Sequence, residues 1–385
     1  MGLIKRMSQD RRDILKLVAV PLVVGAAAAL AGPAHAQALS RTTLSIQGNK
    51  FLINGAPTFS DRSYLGKSIE GLLFNSRMAN GVVDDQNPST RGTWAYADGP
   101  WDPERNTNEL IAALPAYKAR GLNAIGVNLQ GGSPQGYSWN QPWHLSGFSS
   151  EGVLRPDYKT RTARLIEAAD ALGMVVNLGL FYVSAKPALD GEVAVIRAVD
   201  EATAFLCEGG YRNVLVEITN ELDLPSWRLD LVRPARCHEL IQRVQRNSMG
   251  RIANPAGRLL VSSSFTRTMP SDEYFAAADY VLLHGNGITP PDRLREHIRS
   301  RKANPAYRGQ PLLINEDDHF DFDQPHNNMV ASIGEFCGWG YFDYRMSREG
   351  YINGFQSLPV DWTINSPRKR GFFDLLAQVT GSSPG

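Results

Sequence analysis

The stretch NVLVEITNE, residues 213–221, is an almost continuous apolar run that ends in Asn220-Glu221. A second run of this kind, PLLINED at 311–317, carries Asn315-Glu316 close to its end. Short apolar runs that end in polar residues are typical of strands in a parallel sheet, which is covered on both faces. Two carboxylates at strand ends therefore predict a site at the carboxyl edge of such a sheet.

Six further runs share this character, which makes eight in all. They are GLLFNSR from Gly71, NAIGVNLQ from Asn123, GMVVNLGLFY from Gly173, RLLVSSSF from Arg258, YVLLHGNG from Tyr280 and GWGYFDYR from Gly338. Helical patterns lie between them, as at 108–121, where Thr107 is a predicted N-cap and Gly121 a stop. Eight alternating strands and helices predict an α/β fold of the closed (β/α)8 TIM barrel type.

Two segments precede the predicted barrel. Residues 44–59 carry two alternating runs about Gly48-Asn49, which predicts a β-hairpin. At the start, basic residues precede an apolar run at 15–30 and the small residues Ala34-His35-Ala36, a pattern typical of a secretory signal. The run is short and contains Pro21, which favours a signal over a transmembrane anchor, and RRDILK resembles a twin-arginine export motif.

We therefore expect a cleaved signal peptide at 1–36, and a single barrel domain at 37–385 without a membrane anchor. The protein is expected to be exported, either to the periplasm or into the medium. A formal net charge of +1, without a basic run after the signal, argues against nucleic acid and anionic membranes as partners. The oligomeric state is not indicated.

The cysteines and the acidic segment bear on metals and cofactors. Cys207, Cys237 and Cys337 have no CxxC spacing, so a zinc knuckle and a disulfide scaffold are excluded; three buried thiols are favoured over one bridge. The segment EDDHFDFD at 316–323 lacks the glycine and spacing of a calcium loop, although a structural ion stays open there. We expect no catalytic metal and no cofactor.

A pair of carboxyl groups suits the cleavage of an acetal. One carboxyl protonates the leaving oxygen while an ionised one attacks or activates water, so their environments must differ. We expect the pKa of Glu221 to be raised and that of Glu316 to be lower, through donors such as Arg77, His284 or Tyr341. The alternatives are structural: Glu221 as a helix N-terminal charge, and Glu316 as part of a solvated acidic turn. Glu217 lies on the same strand face as Glu221 but further from the strand end.

The order of these residues resembles that of the clan A glycoside hydrolases. Strand four ends in Asn220-Glu221, strand six in His284 and strand seven in Glu316, and the match in pattern covers about 44–380. The resemblance implies Glu221 as general acid and base, Glu316 as nucleophile and Asn220 as the partner of a substrate hydroxyl, with retention of configuration. One departure is that the second strand has Asn128 where many members carry an arginine.

Other residues are candidates for carbohydrate binding, because sugars offer apolar faces to aromatic rings and hydroxyls to amides. Aromatic residues cluster in two long loops after strands one and two, and amides lie near the second loop. The candidates are Trp94, Tyr96, Trp101, Tyr137, Trp139, Trp143, Asn128, Gln130, Asn140 and Gln141. Trp339, on strand eight, is expected to form the floor of the subsite next to the cleaved bond.

Two rival functions remain. A barrel that binds glycans without cleaving them would use the same groove, although a close carboxylate pair is costly to keep without catalysis. A hydrolase of esters or amides would need an activated serine or cysteine. The sequence has no GxSxG motif, and Ser262, Ser263 and Ser264 have no evident base.

Overall fold

The centre of the fold is a ring of parallel strands. A computed structural model describes residues 41–134, 142–343, 355, 358 and 360–382. Its strands are β1 (Leu44–Gln47), β2 (Lys50–Ile53), β3 (Ala56–Pro57), β4 (Ser63–Tyr64), β5 (Lys67–Ser68), β6 (Phe74–Arg77), β7 (Ala124–Asn128), β8 (Val175–Phe181), β9 (Val214–Thr219), β10 (Leu260–Ser262), β11 (Ser264–Phe265), β12 (Val281–His284), β13 (Leu312–Asp317) and β14 (Gly338–Tyr341).

The ring contains strands β6 to β14. Their spatial order is β10-β9-β8-β7-β6-β14-β13-β12-β11, and neighbours are parallel. β10 pairs with β9 and β11 pairs with β12, and only Ser263 separates β10 from β11. The two short strands therefore occupy one position, which leaves eight positions in a closed ring. The predicted (β/α)8 barrel is confirmed.

Helices surround the ring in the order expected for this fold. They are α1 (Pro88–Arg91), α2 (Pro103–Ala119), α3 (Pro156–Ala171), α4 (Gly191–Glu208), α5 (Cys237–Ser248), α6 (Asp272–Ala277), α7 (Pro291–Lys302), α8 (Asn328–Gly334) and α9 (Pro367–Thr380), with 3-10 turns at Gly92–Trp94 and Asp230–Val232. Within the described residues, no helix has the length and apolar character needed to cross a membrane.

The start of α2 differs from its prediction. The helix begins at Pro103, and the side chain of Asp102 accepts a hydrogen bond from the Glu104 N–H as its N-cap. Thr107 lies inside the helix, where its hydroxyl donates to the Gly81 carbonyl. The prediction of Thr107 as the cap was wrong because the first turn is polar, so the apolar periodicity starts later than the helix.

The hairpin closes the amino-terminal end of the barrel. β1 pairs antiparallel with β2 around Gly48 and Asn49, and Gly48 has φ +58°, as such a turn requires. Leu44 and Phe51 of the hairpin pack with strand residues inside the ring, and the Phe51 ring lies 6.0 Å from that of Tyr280. The predicted hairpin is confirmed.

The barrel interior changes character along its axis. Near the hairpin it is filled by one apolar cluster, which we call the floor: Leu73, Ala124, Val175, Leu215, Leu260, Leu282 and Leu313, with Leu44, Phe51 and Tyr280. Two residues further along four of these strands come buried polar side chains, Asn75, Asn177, Glu217 and Asn315. Because side chains alternate with a period of two, these residues face the same interior. Polar groups therefore collect towards the carboxyl ends of the strands.

The expectation of three buried thiols, rather than one disulfide bridge, is confirmed. Cys207, Cys237 and Cys337 are all buried, and each is a free thiol. Burial raises the pKa of the Cys237 thiol to about 12 and that of Cys337 to about 11. Buried thiols of this kind are unreactive and act as small apolar side chains.

Candidate active site

Three titratable side chains meet at the carboxyl end of the ring. Glu316 lies in β13, His284 ends β12, and Glu221 follows β9 by two residues. His284 Nδ1 lies 2.9 Å from Glu221 Oε1 and 3.6 Å from Glu316 Oε1. An oxygen of Glu221, a nitrogen of His284 and an oxygen of Glu316 all lie within 4.8 Å of one another. The structure thus brings together two glutamates that are 95 residues apart in the chain.

Glu221 is held by its backbone. Its φ is +49°, a left-handed conformation that costs a non-glycine residue on the order of 1 kcal/mol. The Glu221 N–H donates to the Ser264 hydroxyl at 2.9 Å, and the Glu221 carbonyl accepts from the Trp227 indole at 3.0 Å. These bonds fix the turn that directs the carboxylate towards His284.

Glu316 is more deeply buried than Glu221. The Glu316 side chain is 3% exposed and that of Glu221 is 16% exposed. Asn286 Nδ2 donates to Glu316 Oε1 at 2.7 Å, and Arg77 Nε lies 3.3 Å from Glu316 Oε2. The two carboxylates therefore have different surroundings: one is enclosed by donors, and the other reaches the surface.

Burial decides the pKa of Glu316 in this structure. Burial raises the pKa above its ordinary value, against the opposing charges of His284 and Arg77 and the Asn286 hydrogen bond; the charge of Glu221 adds to the rise. This differs from the expectation of a lower pKa at Glu316. The reason is that the Glu316 side chain is almost fully buried and that the charge of Glu221 disfavours its ionisation.

His284 carries positive charge between the carboxylates. Burial alone would lower the pKa of His284, but the charge of Glu316 and the hydrogen bond and charge of Glu221 raise it to about 9. At neutral pH the ring is therefore an imidazolium, which compensates the repulsion between the two carboxylates.

Arg77 connects Glu316 to the polar interior. Arg77 Nη1 lies 2.6 Å from Glu217 Oε2, and Nη2 donates to Asn220 Oδ1 at 2.5 Å, with Arg77 and Glu217 fully buried. Although burial works against the charged form, Glu217 and Glu316 hold the pKa of Arg77 above its ordinary value. Arg77 thus fixes two predicted site residues, Asn220 and Glu316.

The absence of a side chain at Gly126 leaves space for the Arg77 side chain. A Cβ at Gly126, on the neighbouring strand β7, would lie 3.2 Å from Arg77 Cδ. That is tighter than ordinary van der Waals contact, so a Cβ there would require Arg77 to shift by a few tenths of an ångström.

The predicted amides have different surroundings. Asn128 is buried at the end of β7, and its amide has no hydrogen-bond partner among the described residues. Gln130 is fully engaged: its Nε2 donates to the Ser146 hydroxyl at 3.1 Å and its Oε1 accepts from the Tyr182 N–H at 2.9 Å. Gln130 therefore braces two loops, while Asn128 retains free donor and acceptor capacity.

The structure does not bring Trp339 and Tyr341 to the carboxylates. Trp339 packs against Phe372 of α9 and donates its indole N–H to Asp317 Oδ2 at 2.9 Å. The Tyr341 ring stacks on Phe372 with centroids 4.6 Å apart. Both side chains lie in the layer between strands and helices, because Gly338 and Gly340 hold the alternate positions of β14. This corrects the expected subsite floor at Trp339 and the expected donor role of Tyr341.

The loop aromatics form a packed cluster. Trp94 contacts Trp101 and Trp143 at centroid distances of 4.9 and 6.1 Å, and Tyr96 stacks on Trp101 at 5.7 Å. All four rings are buried. Their first role in this structure is to shape the loops. Tyr137, Trp139, Asn140 and Gln141, also predicted for binding, lie outside the described residues.

Several site residues escaped the sequence analysis. Asn286, which bonds Glu316, lies in the HGNG segment that follows β12, and its place two residues beyond His284 was the available signal. Ser264 and Trp227, which hold the Glu221 turn, carried no signal. Glu217 was weighed only as a rival to Glu221, whereas the structure pairs it with Arg77.

Among the residues that the structure describes, two groups of side chains have the donor types of a metal site. The first is Glu221, His284 and Glu316, and the second is Asp317, Asp318 and His319. In the first, a proton on His284 accounts for the short contact with Glu221. In the second, Asp317 accepts hydrogen bonds from Trp339, Asn328 and His319, so its carboxylate already connects β13 to neighbouring elements. In both groups, hydrogen bonds account for the short distances between the side chains.

Comparisons with known proteins identify the architecture. No family model matches the chain, and no curated protein matches it by sequence. Among solved structures, the exo-β-1,4-mannosidase Op5Man5 from Opitutaceae bacterium strain TAV5 is similar with a TM-score of 0.54 and 14% identity, over 88% of this chain and 62% of that one. The chain thus spans less than two thirds of the mannosidase.

Two further solved structures are similar over nearly their whole length. An endo-1,4-β-mannanase from Rhizomucor miehei has a TM-score of 0.55 and 11% identity, over 89% of this chain and 100% of that one. A β-glucosidase from Thermotoga maritima has a TM-score of 0.51 and 11% identity, over 82% and 99%. At such low identity these likenesses show the barrel fold.

Proposed function

We propose that this protein is a glycoside hydrolase that cleaves an O-glycosidic bond of a carbohydrate substrate with retention of configuration. The observation that carries the proposal is the approach of Glu221 and Glu316, whose nearest oxygens lie within 4.8 Å. Retaining enzymes hold their carboxyl groups about 5 Å apart, whereas inverting enzymes leave about 6.5 to 9.5 Å for a water. The barrel shared with a mannosidase, a mannanase and a glucosidase is compatible with this function.

Glu316 is assigned as the nucleophile. It is enclosed, Asn286 donates a hydrogen bond to Oε1 and the Arg77 guanidinium lies 3.3 Å from Oε2, which orients the carboxylate for attack on the anomeric carbon. In the first step a Glu316 oxygen bonds to that carbon as the bond to the leaving oxygen breaks. Only the ionised carboxylate attacks. Activity should therefore fall as the pH drops through the pKa of Glu316, which is raised above its ordinary value.

Glu221 is assigned as the general acid and base. Its carboxyl is the more exposed of the pair and contacts His284 Nδ1, so it can exchange protons with solvent and with the imidazolium. Glu221, once protonated by solvent or by the imidazolium, gives this proton to the leaving oxygen in the first step. It then takes a proton from the water that hydrolyses the glycosyl ester on Glu316.

Asn220 and Asn128 are assigned as residues that bind the substrate through hydrogen bonds. Asn220 is held by Arg77 through its carbonyl oxygen, and its amide nitrogen has no partner among the described residues. A sugar hydroxyl next to the reacting carbon would accept from this nitrogen. The unpartnered amide of Asn128 offers a second polar contact.

The test is turnover by the purified protein and by Glu221→Gln and Glu316→Gln, on a panel of aryl glycosides that includes mannosides and glucosides. Each variant is expected to lose about 10³-fold in kcat and keep the fold. Glu109→Gln, on the outer helix α2, is the matched control and should be fully active. A protein that binds sugars without cleaving them would show no turnover in any form, and this result would remove the proposal.

We also propose that the protein acts outside the cytoplasm. The support is the arrangement of basic residues, apolar run and Ala34-His35-Ala36 in the first 36 residues. Fractionation of expressing cells, with N-terminal sequencing of the mature protein, tests export and cleavage near Ala36. Uncleaved protein in the cytoplasm would contradict this assignment.

A further inference from the structure

A cavity of about 460 Å³ opens between the segments that follow β8 and β9, and Trp227 of the turn that begins at Glu221 is part of its lining. Fourteen described residues line it, among them Phe181, Ala188, Leu189, Trp227 and Leu229. Most of these side chains are apolar. Among them are two cations, Lys186 and Arg228, and no acidic residue.

The cavity lies on the side of the proposed general acid. Trp227, one of its walls, belongs to the turn that begins at Glu221 and bonds the Glu221 carbonyl. The lining also includes Tyr182, which interacts with Arg77. The acid protonates the oxygen of the leaving group, so the group beyond that oxygen lies next to Glu221. The cavity adjoins the Glu221 turn through Trp227, and neither Glu316 nor Asn286 is part of its lining, so it is the candidate site for that group.

The lining offers more apolar surface than hydrogen-bonding groups. Sugar subsites need hydrogen-bond groups for many hydroxyls, but the amide of Gln130 is already engaged on both sides. Phe181, Leu189, Leu229 and Trp227 offer apolar surface instead. Lys186 and Arg228 of the cavity lining are exposed. An exposed, flexible cation attracts an anion without a large desolvation cost.

We infer that this cavity binds the leaving group of the substrate, and that this group is an apolar aglycone of aryl size carrying an anionic substituent. The inference rests on the proposed glycosidase function and narrows its substrate class to glycosides of such aglycones. Apolar surface supplies affinity, and the two cations select the anion.

Kinetics with three leaving groups on one sugar test the inference: carboxynaphthyl, neutral naphthyl and a second sugar. Ala188→Asp places a negative charge at the exposed rim, and Lys186→Gln with Arg228→Gln removes the cations. Each change should raise KM for the carboxynaphthyl glycoside about fivefold and leave the other two substrates nearly unchanged. Leu229→Asn should raise KM about tenfold for both naphthyl substrates only. Comparing variants on one substrate cancels differences in leaving-group reactivity.

Arg246→Gln, an exposed cation on α5 outside the cavity lining, is the control and should change no KM. If Ala188→Asp and Leu229→Asn alter KM equally for all three substrates, or for none, the inference is overturned even though the enzyme is a glycosidase.

Binding of anilinonaphthalene sulfonate, followed by fluorescence, gives a readout without catalysis. Wild type and Glu221→Gln are expected to bind this apolar anion saturably, and Ala188→Asp to bind it about fivefold more weakly. Equal binding by Ala188→Asp and wild type contradicts the inference. Absence of turnover on every glycoside instead removes the proposed function, and the two failures are thus distinguishable.

Discussion

The two ends of the barrel interior are built from the same strands but differ in the side chains that fill them. At the floor, Leu73, Val175, Leu215 and Leu313 pack with the hairpin in an apolar cluster. At the mouth, Arg77, Glu217, His284 and Glu316 form a buried charged network. Apolar packing stabilises the fold, whereas buried ion pairs recover little more than their desolvation cost. The comparison indicates that the floor maintains the barrel and that the mouth is retained for chemistry.

The largest expected effect comes from breaking the buried pair at the mouth. Arg77→Met leaves Glu217 and Glu316 without their cation, and we expect a loss of roughly 3 to 5 kcal/mol in the free energy of unfolding. The double variant Arg77→Met with Glu217→Met should regain most of this stability and remain inactive. Urea unfolding and aryl-glycoside turnover measure the two properties. A double variant that is both stable and active would show that Arg77 has no catalytic role.

A substitution in the floor should lower stability but leave the catalytic rate almost unchanged. Leu313→Ala removes packed methyl groups next to Leu282 and the hairpin, and we expect about 3 kcal/mol of destabilisation from the lost burial and the cavity. The kcat of the folded fraction should stay within about twofold, because the mouth is unchanged. A large loss of kcat at full folding would break the proposed division between floor and mouth.

Much of this division was predictable from the chain. Runs of apolar residues that end in Glu221, His284 and Glu316 predicted both the strands and the convergence of the three side chains. The ion pair of Arg77 with Glu217 was not predictable. It joins the first and fourth barrel strands, and its formation depends on how far each side chain reaches into the barrel interior. Trp339 was misplaced for a related reason: in GWGY both faces are buried, so hydrophobicity does not tell which face points inward.

The charge of His284 gives a smaller effect with a defined pH dependence. The folded-state pKa of about 9 lies above the ordinary 6.5, so the charge stabilises the fold fully below pH 6.5 and this contribution disappears as the pH rises through 9. Wild type should therefore lose roughly 2 to 3 kcal/mol more than His284→Asn between these pH values. Chemical unfolding at a series of pH values checks this. Parallel curves for the two proteins would mean that His284 is neutral.

The smallest effect is expected at the turn of Glu221. Ser264→Ala removes the acceptor of the Glu221 N–H and should cost about 1 kcal/mol of stability, with a decrease of about tenfold in kcat and little change in KM. Ser300→Ala, on the outer helix α7, is the control. If both variants show equal kcat, the left-handed turn does not depend on Ser264.

The stereochemistry of the first product tests the pairing of Glu221 with Glu316 most directly. Proton NMR of a fresh reaction, on a glycoside that the protein turns over, resolves the anomeric signal of the released sugar before mutarotation. The short separation of the carboxylates predicts that the product has the same configuration as the substrate. A product of inverted configuration would contradict covalent attack by Glu316 and the roles assigned to both glutamates.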